Sequence, residues 1–200
     1  NEIGKYDDAA KAFDAVRAAV TAKKKTDLAP KKGSEAAPEL ADLWCSAGEA
    51  YFYLNRLHEA NDCWANALKA DENHMRTSVW MARLYLEQNH DSSTMVNYVE
   101  PMLKVNPNYS DLHLWKALAL FFRWRSGEGR KALETCLKLN PKNLEALCFR
   151  AAYLVGKDQY EQGQKDYEAA LAINPRSLKA LGAKGLHGAT LALKDVYESA

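Results

Sequence analysis

Three Asn-Pro pairs recur along the chain at a fixed interval of 34 residues, ending at Pro107, Pro141 and Pro175. A fixed interval of this length is typical of stacked repeat proteins. Proline cannot continue a helix, and it disfavours the helical conformation in the residue before it. Each Asn-Pro pair therefore ends one helix and precedes the next. The interval predicts repeat units that contain two helices each.

A column of small residues follows the same period. In three of the units a large apolar residue, Trp64, Leu133 or Tyr167, stands sixteen positions after the small one. Small residues let two helix axes approach closely, and large residues fill the space beside them. Each unit is therefore predicted to be an antiparallel helix pair that buries its apolar faces by stacking on its neighbours. The column consists of Gly48, Ala82, Ala117, Ala151 and Gly185, with spacings of 34, 35, 34 and 34 residues.

This pattern resembles the tetratricopeptide repeat (TPR). The residues that carry the resemblance are Trp44, Gly48, Tyr51, Ala60, Trp64 and Ala67, and then Ala151, Leu154, Tyr160, Gly163, Tyr167, Ala170 and Pro175. The resemblance implies an all-α fold, a right-handed superhelical solenoid of antiparallel helix pairs. Four full repeats are expected within residues 39–177, at about 41–74, 75–109, 110–143 and 144–177, with a half-repeat at either end.

The two ends depart from the regular repeats. Residues 1–25 carry the second-helix pattern, with Tyr6, Ala9 and Phe13 in register, so we expect the second helix of a truncated repeat in a fragment of a longer protein. Residues 26–38 contain proline, glycine and lysine and are expected to form an inserted, solvated loop. Residues 178–200 are expected to be a half-repeat or capping helix. Three glycines make this last helix the least regular.

The second repeat contains one extra residue, because its small-residue spacing is 35 rather than 34. We expect the insertion between Gln88 and Ser93. Pro101 falls inside the predicted second helix of this repeat, where proline removes a backbone hydrogen bond. A kink is therefore predicted between Asn97 and Pro101.

Composition narrows the classes of partner. The formal net charge is +1, which gives no overall field for holding nucleic acid, so none is expected as a partner. No apolar run is long enough to span a membrane. The four cysteines are scattered and are expected to be reduced, which favours an intracellular, cytoplasmic protein. The five histidines are equally dispersed, so no metal site is predicted.

The sequence contains none of the common motifs of catalysis or cofactor binding. The chain lacks the nucleophile elbow, the phosphate-binding loop and the HExxH zinc motif. Gly182, Gly185 and Gly188 resemble a nucleotide loop superficially, but their spacing differs and no strand precedes them. We therefore expect no enzyme activity, no catalytic residues and no cofactor.

The resemblance to TPR proteins implies a concave groove lined by the first helices of the repeats. The residue two positions before each small-column site is expected to face this groove, and at three successive sites it is aromatic. Contiguous exposed aromatic residues mark binding surfaces. Truncating Trp80 or Trp115 is accordingly expected to weaken binding rather than folding. The candidate groove residues are Glu49, Phe52, Tyr53, Trp80, Arg83, Trp115, Leu118, Phe122 and Phe149.

The sequence thus predicts a protein–protein interaction scaffold that binds a peptide or an amphipathic helix. Two alternatives stay open, which are self-association as a homodimer and a non-catalytic accessory domain of a larger enzyme. TPR relatives that bind chaperone C-termini use Lys, Asn and Arg at their groove sites. The matching positions here carry no cationic clamp, so that role is not expected. Those positions are Cys45, Glu49, Trp80, Asp111 and Trp115.

Overall fold

A computed structural model describes residues 6–15, 38–89 and 92–198, without the side chains of residues 87–97 and 193–198. All regular secondary structure in these ranges is helical, which confirms the all-α prediction. Helix α1 covers residues 6–15. The others are α2 (Pro38–Tyr53), α3 (Leu57–Ala70), α4 (Met75–Asn89), α5 (Ser92–Val105), α6 (Ser110–Phe122), α7 (Ser126–Leu139), α8 (Leu144–Val155), α9 (Tyr160–Ile173) and α10 (Leu178–Glu198).

Several predicted features lie outside the described residues. They include the lysine-rich inserted loop, except for Pro38, where α2 begins, and the extension of α1 beyond residue 15. The one-residue insertion expected between Gln88 and Ser93 stays a prediction, because residues 90–91 are not described. Helix α5 runs through Pro101, and the kink there stays a prediction. The glycine-containing α10 is helical over its described length.

The helices divide into two compact units, Asn1–Pro107 and Asn108–Ala200. In the first unit α2 pairs with α3 and α4 with α5. In the second unit α6 pairs with α7 and α8 with α9, while α10 packs on both α8 and α9. Each unit has its own apolar core, which includes Tyr51 and Trp64 in the first and Leu133 and Leu147 in the second. The division falls close to the predicted boundary between the second and third repeats.

Helices α2 and α3 approach each other closely at Gly48. A Cβ atom at this position would lie 2.3 Å from Nε1 of Trp64, closer than any real Cβ contact. Trp64 has no room to retreat, since it is fully buried and its Nε1 donates a hydrogen bond of 3.2 Å to the carbonyl oxygen of Cys45. Glycine is therefore required at Gly48 by packing. By contrast, nothing lies within 4 Å of the equivalent Cβ position at Gly185.

This difference gives a test within one column of the repeat. We expect Gly48→Ala to lower the free energy of unfolding by about 1–3 kcal/mol, because the added methyl group overpacks the contact with Trp64. Gly185→Ala is the matched control and should stabilise the protein by about 0.5–1 kcal/mol through the helix propensity of alanine. Urea denaturation followed by circular dichroism measures both. Equal effects of the two substitutions would contradict the close approach at Gly48.

The turn after the first helix of a pair has a repeated backbone conformation. Asn55, Trp124 and Asp158 follow α2, α6 and α8, and their φ angles are 59°, 60° and 59°. This left-handed region is accessible to asparagine and aspartate but unfavourable for bulky side chains. Trp124 therefore occupies a position that does not suit its residue type.

Polar side chains join the start of one first helix to the start of the preceding one. The side-chain oxygen of Asn143 accepts a hydrogen bond of 3.0 Å from the backbone N–H of Ala146, which caps α8. The Nδ2 group of the same side chain donates a hydrogen bond of 2.7 Å to Oδ1 of Asp111 in α6. In the first unit, His74 and Asp42 make a similar contact of 3.2 Å. Both contacts join residues 32 positions apart.

Candidate functional site

The first unit contains a cluster of aromatic side chains, which we call the Trp80 cluster. It is formed by Phe52 and Tyr53 of α2, Trp64 of α3 and Trp80 of α4. The rings of Trp64 and Trp80 are stacked, with centroids 5.6 Å apart. Phe52 lies 5.3 Å and Tyr53 lies 5.9 Å from the ring of Trp80. Three of these residues, Phe52, Tyr53 and Trp80, were predicted to lie in the groove, and the structure brings them together.

Burial within the Trp80 cluster is graded. Trp64 is fully buried against the ring of Trp80, while Phe52 and Trp80 are partly buried. Tyr53 is 48% exposed and is the most exposed of the four residues. On the α1 side, the ring of Tyr6 stacks on Tyr53 with centroids 4.6 Å apart. The site is thus an aromatic surface with a buried base and an exposed edge.

Arg83 of α4 covers part of this surface. Its guanidinium carbon lies 5.1 Å from the ring centroids of both Phe52 and Trp80. A cation over aromatic faces is attracted by the ring quadrupoles, and it restrains the rings in their positions. The predicted residue Arg83 therefore belongs to the Trp80 cluster and gives its surface a positive charge.

Glu49 lies on the same helix as Phe52 and Tyr53. Its carboxylate accepts a hydrogen bond of 2.7 Å from Nε of Arg76. Burial lowers the pKa of Arg76, but the hydrogen bond and the Coulombic attraction of Glu49 outweigh this and raise its pKa. Glu49 is thus held in an ion pair between α2 and α4, and it helps to fix the two helices that carry the Trp80 cluster.

The prediction for Trp115 is wrong. Its side chain is only 4% exposed, so it is a core residue and not an accessible groove residue. The rule that placed Trp115 in the groove also selected Ala183, which is buried as well. The two-residue offset does not guarantee exposure, since neighbouring helices cover this position to different degrees.

The other predicted residues of the second unit do not form an equally open cluster. Leu118 and Phe149 are partly buried and pack against the core of this unit. The ring of Phe149 lies 5.2 Å from Phe121, which also contacts Tyr153 at 4.9 Å. Phe122 is half exposed. The second unit therefore offers one accessible aromatic edge among these residues, at Phe122.

Sequence reasoning missed two partners of the Trp80 cluster. Tyr6 was assigned only to the terminal helix, although its stacking on Tyr53 joins α1 to the site. The repeat pattern assigns Trp64 only to the space beside Gly48, although its ring also stacks on Trp80. The repeat pattern does place Trp64 beside the small column. It contains no signal for the contact between Tyr6 and Tyr53.

Cysteine and metal chemistry contribute nothing to this surface. The four cysteines are buried thiols outside any disulfide. Burial raises the pKa of Cys45 to about 11 and that of Cys136 to about 12, so both thiols are protonated at neutral pH. Among the described residues there is no group of His, Cys, Asp or Glu side chains that could hold a metal ion. In the same part of the chain, no helix has both the length and the apolar character of a membrane span.

Solved structures similar to this chain are TPR proteins. The first TPR domain of Spaghetti (RPAP3), bound to the HSP90 peptide SRMEEVD, is 20% identical, with a TM-score of 0.52 over 66% of this chain and 97% of its own. YrrB, a TPR protein with an unusual peptide-binding site, is 19% identical, with a TM-score of 0.51 over 72% of this chain and 74% of its own. MamA is 15% identical, with a TM-score of 0.57 over 88% of this chain and 92% of its own.

These similarities identify the fold as that of the tetratricopeptide repeat, as the sequence pattern indicated. At 15–20% identity they establish the fold and not a shared activity. No protein-family model matches the sequence, and no curated protein does.

Proposed function

We propose that the protein is a protein–protein interaction scaffold, and that the Trp80 cluster binds a peptide or amphipathic helix carrying an apolar or aromatic side chain. The observation that carries the proposal is the half-exposed Tyr53 above the partly buried rings of Phe52 and Trp80. Exposed aromatic residues on a rigid support are favoured as binding hot spots, because they bury a large area at a low cost in conformational entropy.

Two solved proteins of this fold make peptide recognition a reasonable role. One is bound to an HSP90 peptide and the other is described as having a peptide-binding site. The ligand proposed here differs from an acidic peptide end. Glu49 places a carboxylate beside the site and binds the guanidinium of Arg76, while the guanidinium of Arg83 lies over the rings of Phe52 and Trp80. An apolar or aromatic side chain would instead pack against the exposed part of Tyr53.

A peptide library displayed on phage and selected on the immobilised protein tests this function. Selected peptides should share an apolar or aromatic residue, and Tyr53→Ser should weaken their binding at least about tenfold, which corresponds to about 1.4 kcal/mol. Ile173→Ser is the matched control, since Ile173 is also partly exposed but lies in the second unit. Fluorescence polarisation gives the dissociation constants. Selection of no peptide, or equal binding by wild type and Tyr53→Ser, would refute the proposal.

A further inference from the structure

Trp124 is the most exposed large hydrophobic side chain among the described residues, at 93% exposure. It lies in the turn between α6 and α7, so it contributes almost nothing to the core. Its φ angle of 60° also disfavours a bulky residue, and the equivalent turns carry Asn55 and Asp158. Neither packing nor turn geometry accounts for tryptophan here. Its surroundings indicate what it could contact.

The neighbouring side chains add apolar surface and positive charge. Phe122 is half exposed at the end of α6, and Arg123 is exposed between the two aromatic residues. Arg125 follows Trp124 and binds Glu128 through two hydrogen bonds of 2.7 and 2.6 Å. The turn therefore presents two aromatic side chains alternating with two arginines. We call residues 122–125 the Trp124 turn.

Positive charge continues from this turn onto the adjoining helices. From Lys116 to Glu134 there are five cationic and two acidic residues, a net charge of +3 in a chain whose total is +1. The pKa of Glu128 is lowered first by its hydrogen bond from Arg125, and further by the Coulombic attraction of Arg125, Lys131 and Lys116. These cations thus surround one carboxylate next to the turn. Their field attracts an anionic surface.

We propose that the Trp124 turn is a peripheral contact site for an anionic lipid surface. Tryptophan is enriched at the membrane–water interface, where its ring meets the apolar boundary and its N–H stays hydrated. Arginine and lysine beside it are attracted to anionic headgroups. A convex turn can enter a lipid interface without a matching pocket, which a protein partner would have to supply. One turn with this charge gives reversible contact rather than stable anchoring.

This surface belongs to the second unit and is separate from the Trp80 cluster, so the two proposals can fail independently. The test uses the intact chain with vesicles of phosphatidylcholine alone or with about one third phosphatidylserine. We expect co-sedimentation with the anionic vesicles and a blue shift of tryptophan emission. Trp64 and Trp115 are buried and Trp44 and Trp80 are partly buried, so the shift reports mainly on Trp124.

Trp124→Asn should lower the vesicle partition coefficient about tenfold or more and abolish the emission shift. The fold should tolerate it, because Asn55 has the same backbone conformation in the first unit. Arg123→Gln should lower the partition coefficient about fivefold. Adding Asn55→Trp to Trp124→Asn provides a matched control. This double variant restores an exposed tryptophan in an equivalent turn. The surrounding segment, residues 49–62, has three acidic residues and one arginine, a net charge of −2. Binding to anionic vesicles should therefore not return.

Three results would overturn the lipid contact. The wild-type chain could bind anionic and neutral vesicles equally, or Trp124→Asn could bind as well as the wild type. Alternatively, emission could stay constant with vesicles and shift on addition of a glutamate-rich peptide, which would assign the Trp124 turn to an acidic protein partner.

Discussion

Alanine in place of Trp115 should lower the free energy of unfolding by about 3–5 kcal/mol, because the substitution empties a large volume in the core. The side chain is 4% exposed, so nearly all of its surface is removed from water on folding. Urea denaturation followed by far-ultraviolet circular dichroism measures the loss. This expectation replaces the earlier one, that truncating Trp115 would affect binding and spare folding.

Trp124 provides a control of the same residue type at the opposite extreme of exposure. It lies in the turn that follows α6, the helix that carries Trp115. Trp124→Asn should change the free energy of unfolding by no more than about 0.5 kcal/mol. Any change should be towards greater stability, since asparagine relieves the left-handed backbone. A stable Trp115→Ala variant together with a destabilised Trp124→Asn variant would contradict the burial of Trp115 and the exposure of Trp124.

Asp166→Ala is expected to cost about 3–5 kcal/mol of stability, because it leaves a partly buried guanidinium without its carboxylate. Arg150 of α8 binds Asp166 of α9 through two hydrogen bonds of 2.7 and 2.8 Å. The Asp166 side chain is 4% exposed and that of Arg150 is 24% exposed. The Asp166 carboxylate raises the pKa of Arg150 through its hydrogen bond, against the effect of burial. Without Asp166 the guanidinium still stays charged, because the intrinsic pKa of arginine lies far above neutral pH.

A double-mutant cycle separates the ion pair from general packing. Arg150→Met combined with Asp166→Leu should recover much of the loss, because no isolated charge remains in the interface. Lys179→Gln tests an exposed pair of similar length, 2.6 Å to Glu145, and should cost about 0.2–1 kcal/mol. Two results would argue against a buried, coupled pair. The destabilisation of the double variant could equal the sum of those of its single variants, or Lys179→Gln could destabilise the protein as much as Asp166→Ala.

The helix pairs could be predicted from the sequence because their determinants lie close together in the chain. Proline at fixed positions limits helix length, and Gly48 and Trp64 meet across a single pair. Such contacts repeat with the period of the chain, so a few residue types reveal them. The left-handed turns share this period, since Trp124 and Asp158 are 34 residues apart, as the Asn-Pro pairs are, but the residue type at Trp124 gives no signal of it.

The site was only partly predictable, because it depends on contacts that differ between repeats. Trp80 and Trp115 occupy equivalent positions, yet one stacks on Trp64 in a partly open cluster and the other is buried. The difference arises from the side chains that surround each ring, and these do not follow the period. Tyr6 reaches Tyr53 across more than one repeat length of sequence, and no local pattern relates the two residues.

The double hydrogen bonding of Asn143 has a consequence for whether repeats are interchangeable. Aspartate would cap α8 equally well, but it has no N–H group to offer the carboxylate of Asp111 and would repel it. The choice of residue at this cap is therefore dictated by the preceding repeat. The small residues and the large apolar residues beside them give each repeat the TPR fold, whereas pairs such as Asn143 with Asp111 favour one neighbouring repeat over another. Repeats exchanged between positions should keep the fold of each helix pair but lose hydrogen bonds such as that between Asn143 and Asp111.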